Sequence, residues 1–159
     1  MSSTLDIPLA YNILFLYFEP LAALHGVYLA YFDPPAFLEV FTAIGVYAPD
    51  AKVIYDQLAA SYLLFVFNEA VVLRVAKDLR VWKTMLLGIL LCDVLHLYAS
   101  WQVMGGAFWN PTAWRGLEWG NHGMLIGMVA VRVAFLLEAG FPTVVRGRRE
   151  GKSRDIHAD

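Results

Sequence analysis

Four long apolar runs divide the chain, and short polar or proline- and glycine-rich stretches separate them. The first covers residues 7–32 and stops at Asp33-Pro34-Pro35. The second covers about 57–76. The third covers about 81–103 and stops at Gly105-Gly106. The fourth covers about 119–141 and stops at Pro142. Each run is close to the ~20 residues a helix needs to cross a hydrocarbon core. None alternates with a period of two, and in lipid only helices or closed barrels satisfy their own backbone. The pattern predicts an all-α integral membrane protein: a single four-transmembrane-helix bundle over residues 1–145, followed by a basic tail at 146–159. Between the first two runs, residues 36–47 have the character of a short amphipathic helix or re-entrant piece.

Composition strengthens this reading. The 159 residues are 59% hydrophobic and 16% charged, against about 25% charged in an ordinary soluble domain. The net charge of -2 says less than its distribution. Arg74, Lys77, Arg80 and Lys83 flank the turn between runs two and three, and Arg146, Arg148, Arg149, Lys152 and Arg154 follow run four. Four spans put both regions on one side, and the positive-inside rule makes that side, with both termini, cytosolic. The other side carries Lys52 and Arg115 among Asp33, Glu39, Asp50, Asp56 and Glu118. Tyr31, Phe32, Trp101, Phe108, Trp109, Trp114 and Trp119 cluster there as an interfacial aromatic belt. The first six residues lack a basic n-region and the following run is too long, so no cleavable signal peptide is expected. Cys92 is the only cysteine; it makes no intrachain disulfide and reads as inert packing.

Within the runs stand residues that do not belong in lipid. Glu19, Glu69, Asp93 and Arg132 each sit in a different run. At 1.5 Å rise per residue they lie roughly 12–18 Å from the basic end of their helices, one ionisable group per helix near the midplane. A charge there costs about 2.5–3.5 kcal/mol on insertion scales, so the four should face inward and meet. Two readings stand side by side. In one, Arg132 is a clamp that locks the bundle. In the other, the groups line a polar pocket in an apolar cavity. Three acids exceed what one guanidinium neutralises, so one carboxyl is expected to keep its proton. A protonated acid beside an ionised one is the arrangement for acid–base chemistry.

Neighbouring residues have readings of their own. His96 shares a helix face with Asp93 and either orients it or bonds a backbone carbonyl. Glu19-Pro20 marks a kink, with Glu19 bonding a freed backbone group as the plain alternative. Tyr62 and Phe65 share a face with Glu69, either as core or as aromatic walls able to shelter a developing carbocation. Asn68, Asn121 and Trp101 are candidate substrate contacts, with interhelical hydrogen bonding the plain role for the two amides. His25 reads as interhelical glue, and Glu118 and His122 as interfacial. Asp93 and His96 form half of a bundle metal motif, but the second half is missing, so no metal site is expected. Asn110-Pro111-Thr112 is excluded as a glycosylation site by its proline. Phosphate loops, nucleophile elbows and nucleic-acid signatures are absent.

The stretches YFEPLAAL (17–24), YLLFVFNEAVVLR (62–74), KDLRVWKTMLLGILLCDVLHLY (77–98) and EWGNHGMLIGMVAVRVAFLL (118–137) resemble a family of small fungal membrane proteins. That family includes membrane-bound terpene cyclases of the ascofuranone type, and counterparts in pathways to polyene α-pyrone polyketides such as aurovertin and citreoviridin. The resemblance implies a cofactor-independent epoxide hydrolase or cyclase of secondary metabolism. Its substrate would be an apolar epoxide, opened by water or an internal hydroxyl to diols or cyclic ethers, in a multi-pass protein of the endoplasmic reticulum. Epoxide opening needs an acid for the leaving oxygen and a base for the attacking hydroxyl. Asp93 as acid and Glu69 as base fit these needs, with the roles exchangeable. Arg132 then holds one carboxylate ionised, His96 orients Asp93, and Glu19 is a third candidate. The alternatives are a sterol-isomerase-like enzyme and a non-catalytic lipophile-binding or scaffolding bundle. The lipid bilayer is the expected surrounding. Gly120, Gly123 and Gly127 would permit close approach of a second copy.

Overall fold

The computed structural model describes residues 6–142; the basic tail from Arg146 lies outside the described residues. Among them the chain is all helical, with no strand. Four helices are long and apolar enough to cross a membrane, so this is a multi-pass membrane protein with a four-helix architecture. We label the elements α1 (Leu9–Phe32), α2 (Pro34–Phe41), α3 (Pro49–Val75), α4 (Leu79–Met104) and α5 (Gly116–Leu136). The large apolar residues Leu21, Phe67, Leu91 and Leu95 point outward, as side chains that meet hydrocarbon should.

Local chemistry sets the ends. Pro34 follows α1 and disfavours a helical Asp33; Asp33 instead caps α2, accepting from the Ala36 N–H at 3.2 Å, with Pro34 at the first helical position. The amphipathic reading of 36–47 is therefore right in kind, with the helix placed at 34–41. Asp78 caps α4, accepting from the Arg80 N–H at 2.8 Å. Gly105 ends that helix at φ +57 and ψ -130, a conformation a Cβ would strain.

The second and fourth runs need correction. Helix α3 begins at Pro49, eight residues before 57: Asp50, Lys52 and Asp56 interrupt the apolar run but not the helix, and Lys52 and Asp56 pair at 2.5 Å. Helix α5 ends at Leu136 rather than residue 141. Ala139 N–H donates to Ala134 O and Glu138 N–H to Phe135 O, both at 2.9 Å, the bonding of a Schellman turn. Glu138 takes the left-handed position at φ +57, with its carboxylate 2.8 Å from Lys83 Nζ. Phe141 then folds back onto Tyr11 and Phe135.

Three π turns interrupt the spans, at Leu14–Phe18 in α1, Asn68–Val72 in α3 and Trp119–Gly123 in α5. Each inserts a residue into the turn and rotates the face presented beyond it. In α1 the turn precedes Pro20, which has no N–H for the carbonyl of Leu16 four residues back. Arg74 Nη2 donates to that carbonyl at 2.9 Å, while its guanidinium lies 4.6 Å over the Tyr17 ring.

Helix α1 runs along α3, and α4 along α5. The α1–α3 seam is tight at Gly26, where an added Cβ would lie 2.9 Å from Tyr62 Cδ2. The core has two parts. One, toward the basic end, joins Phe15, Leu73, Trp82, Leu86, Met128 and Phe135. The other, toward the opposite end, joins Ala30, Phe37 and Ala59. The candidate site lies between them.

Candidate functional site

Arg132, on α5, is buried to 1% exposure and its guanidinium is shared among three helices. Nη2 pairs directly with Glu19 Oε1 of α1, and Nη1 pairs directly with Asp93 Oδ2 of α4. Glu69 of α3 also faces it, with Oε1 3.7 Å from Nη2, beyond hydrogen-bond reach. The four ionisable residues expected at one depth do meet, each from its own span.

The three carboxylates are not equivalent. Both oxygens of Glu69, the second oxygen of Glu19 and Nε of Arg132 have no hydrogen-bond partner among the described residues. Buried polar groups are nearly always satisfied, and exceptions mark strain, a catalytic role, or a place for a water or ion. Glu69 is the carboxyl that Arg132 attracts without binding closely.

These groups line one wall of a cavity of about 410 Å³, within the range of small-molecule sites. Apolar and aromatic side chains supply most of the remaining wall. His96, Tyr62, Phe65 and Asn121 line it as well. The Asn121, Leu125, Met128, Arg132 face of α5 is continuous along it, as i, i+4 spacing requires.

Several sequence readings change here. His96 neither orients Asp93 nor bonds a backbone carbonyl: its Nε2 is 3.2 Å from the Tyr62 hydroxyl, and its ring lies 5.4 Å from that of Phe41. Glu19 does not serve the backbone near Pro20; it binds Arg132, and Arg74 answers the freed carbonyl. Asn68 and Trp101 lie off the cavity. Asn68 is one residue from Glu69, which at 3.6 residues per turn carries it off the inward face. Trp101 is five residues beyond His96, on the outer side of α4 against Tyr98 and Trp109. Cys92 and His25 line the cavity. Glu118 and His122, in the first turns of α5, are buried. Glu118 accepts from Arg115 N–H at 2.9 Å and from Arg115 Nε at 3.0 Å. His122 is enclosed by Phe108 and Trp114. In Gly123 an added Cβ would strike its own Trp119 ring, while at Gly120 it would meet nothing within 4 Å, so Gly120 borders open space.

The α2 residues Phe37 and Phe41 were not singled out from sequence, yet they form the cavity's roof with Val40. Their i, i+4 spacing signals a common face, but nothing local says what that face covers.

Residues 4–142 match the profile of a family described only as a domain of unknown function. No curated protein and no solved structure matches the chain.

Proposed function

The chain belongs to the DUF7704 family, whose function is unknown, and we propose on the geometry of its site that it is a membrane-embedded, cofactor-independent epoxide hydrolase or cyclase. The observation that carries this reading is the unequal sharing of one buried guanidinium by three carboxyls on the wall of an apolar cavity. Arg132 balances one carboxylate, and with Glu19 and Asp93 both bound to it the cluster already carries one excess negative charge. A third ionised carboxyl would add like charge in a medium that screens poorly. Glu69 is accordingly the neutral acid.

The reaction then needs only these side chains. Glu69 gives its proton to the epoxide oxygen as the C–O bond breaks. Water or an internal hydroxyl forms the new C–O bond, and its proton passes to Asp93. Return of that proton to Glu69 closes the cycle with no net oxidation. This exchanges the acid and base roles first assigned from sequence. Tyr62, Phe65 and Phe41 would flank the cationic carbon. The resemblance of the sequence to fungal cyclases supports a polyene polyketide or prenyl chain as the apolar part, and the endoplasmic reticulum as the location.

The direct pairing of Arg132 to both Glu19 and Asp93 also favours a second reading, in which the cluster only locks the bundle. Purified protein in nanodiscs, given a polyene bis-epoxide beside a protein-free control, separates them. Enzymatic diol or cyclic ether that Glu69→Gln cuts by about 10²–10⁴-fold is the expected result. No product above the control from the parent protein, with sterol substrates converted instead, would transfer the site to double-bond protonation; no turnover of either class leaves the latch.

A further inference from the structure

We infer that the cavity is entered sideways, from within the bilayer, through a window between α1 and α5. Its ligand is then a lipid-dissolved molecule, with a slender apolar chain and an oxygen function that reaches the Arg132 cluster. The proposal rests on reading the cavity as a substrate site, but its test requires no turnover.

The window has a frame. Toward the basic end α1 and α5 are joined: Tyr11 and Phe15 set their rings 5.2 and 5.6 Å from Phe135, and the Tyr11 hydroxyl donates to Ala139 O at 2.9 Å. Toward the other end α2 bridges them. It follows directly on α1, lies against the start of α5, and is tied there by Arg115 Nη2 donating to Glu39 O at 3.0 Å. Between these joints Glu19 reaches Arg132; from that pair to α2, no hydrogen bond or ring contact among the described residues links the two helices. Phe18, Ala22 and His25 of α1 face Leu117, Gly120 and Met124 of α5, and all six line the cavity. Yet Phe18 is 44%, Leu117 46% and Met124 37% exposed, so these rows are its rim.

The depth of the rim decides what it opens onto. On α1 the rim at 18–25 lies about 14–24 Å along a helix about 36 Å long, level with the hydrocarbon core; on α5 it runs from Leu117, at the end of the helix, to Met124, about 12 Å in. Water is scarce there, and a charged solute would lose its hydration on the way in. An apolar chain loses nothing and can leave its far end in the lipid. Just inside stands the ion cluster, on the α1 side through Glu19 and on the α5 side through Arg132. The oxygen-bearing part of the ligand therefore leads.

A long-chain alkyl diazirine dissolved in the nanodisc lipid tests this, with adducts mapped by mass spectrometry after photolysis. Helix α4 supplies its own control, because Cys92 and His96 line the cavity while Leu91 and Leu95 face outward. The expected result is adducts on both sets in the parent protein. In Gly120→Leu, and independently in Leu117→Trp, adducts on Cys92 and His96 are lost while those on Leu91 and Leu95 persist. Inner residues left unlabelled in the parent, or labelled equally in both rim variants, would overturn the proposal. So would disulfide-linked dimers of Gly120→Cys, which would mean that a second copy closes the window. Labelling in Glu69→Gln should match the parent, so a failed catalytic reading and a failed window give different results.

Discussion

Replacing Glu69 by Gln separates chemistry from architecture at this site. The two side chains are nearly isosteric. Neither oxygen of Glu69 has a hydrogen-bond partner among the described residues, and the nearer one stands 3.7 Å from Arg132. The substitution thus removes a transferable proton while breaking no close pair. A general acid contributes about 10²–10⁴-fold to rate, equivalent to about 3–5 kcal/mol of barrier. Turnover of a polyene epoxide, followed by chromatography and mass spectrometry, should fall by about that factor. Stability should change by less than about 1 kcal/mol, or about 2–4 °C in Tm for a chain of this size. Asp93→Asn supplies the contrast, since it breaks a direct buried pair with Arg132. Arg132 keeps Glu19 in this variant, so the loss is that of one charge-assisted hydrogen bond, about 1.5–3 kcal/mol, and Tm should fall by about 3–12 °C. Turnover of Glu69→Gln within a few-fold of the parent, at unchanged Tm, would refute the acid assignment. A Tm loss in Glu69→Gln as large as in Asp93→Asn would refute the unequal sharing itself.

Three further outcomes follow from the helix seams and ends. Gly26→Ala places a methyl 2.9 Å from the Tyr62 ring; overpacking of this kind costs about 1–3 kcal/mol, readable as a lower Tm, and Tyr62→Ala in the same chain should recover part of it. Arg74→Met leaves the Leu16 carbonyl without its donor and should cost about 1 kcal/mol; in a Pro20→Ala background, where residue 20 regains an N–H, a double-mutant cycle should show a smaller loss. Gly105→Ala, at φ +57, should destabilise by about 1–3 kcal/mol, whereas Gly106→Ala, which meets nothing within 4 Å and has no positive φ, should change Tm by under about 1 °C.

The meeting of Glu19, Glu69, Asp93 and Arg132 was legible because the cost of a charge in lipid leaves few places for one. The middle of each helix is so apolar that the one carboxylate or guanidinium there marks the inward face. The partners of His96 were not legible. Its contacts are Tyr62, 34 residues away, and Phe41 on a helix outside the spans, and no spacing rule links those positions. The displacement of Asn68 and Trp101 from the cavity could be anticipated from helical rotation alone. The π turns could not, since they depend on neighbouring side chains accepting a wider turn.

What the sequence by itself determined is the number of membrane helices, their approximate ends and the depth of the ionisable residues. These follow from bilayer thickness and from the demand that each segment satisfy its own backbone, both properties of a single stretch of chain. The tertiary structure alone decided that Arg132 binds Glu19 and Asp93 closely while Glu69 stands apart, and that residues of α1 and α5 as remote in sequence as Ala22 and Gly120 line one cavity. Those outcomes depend on how near helices can approach. That distance is set where side chains from remote positions compete for the same volume, as Gly26 and Tyr62 do.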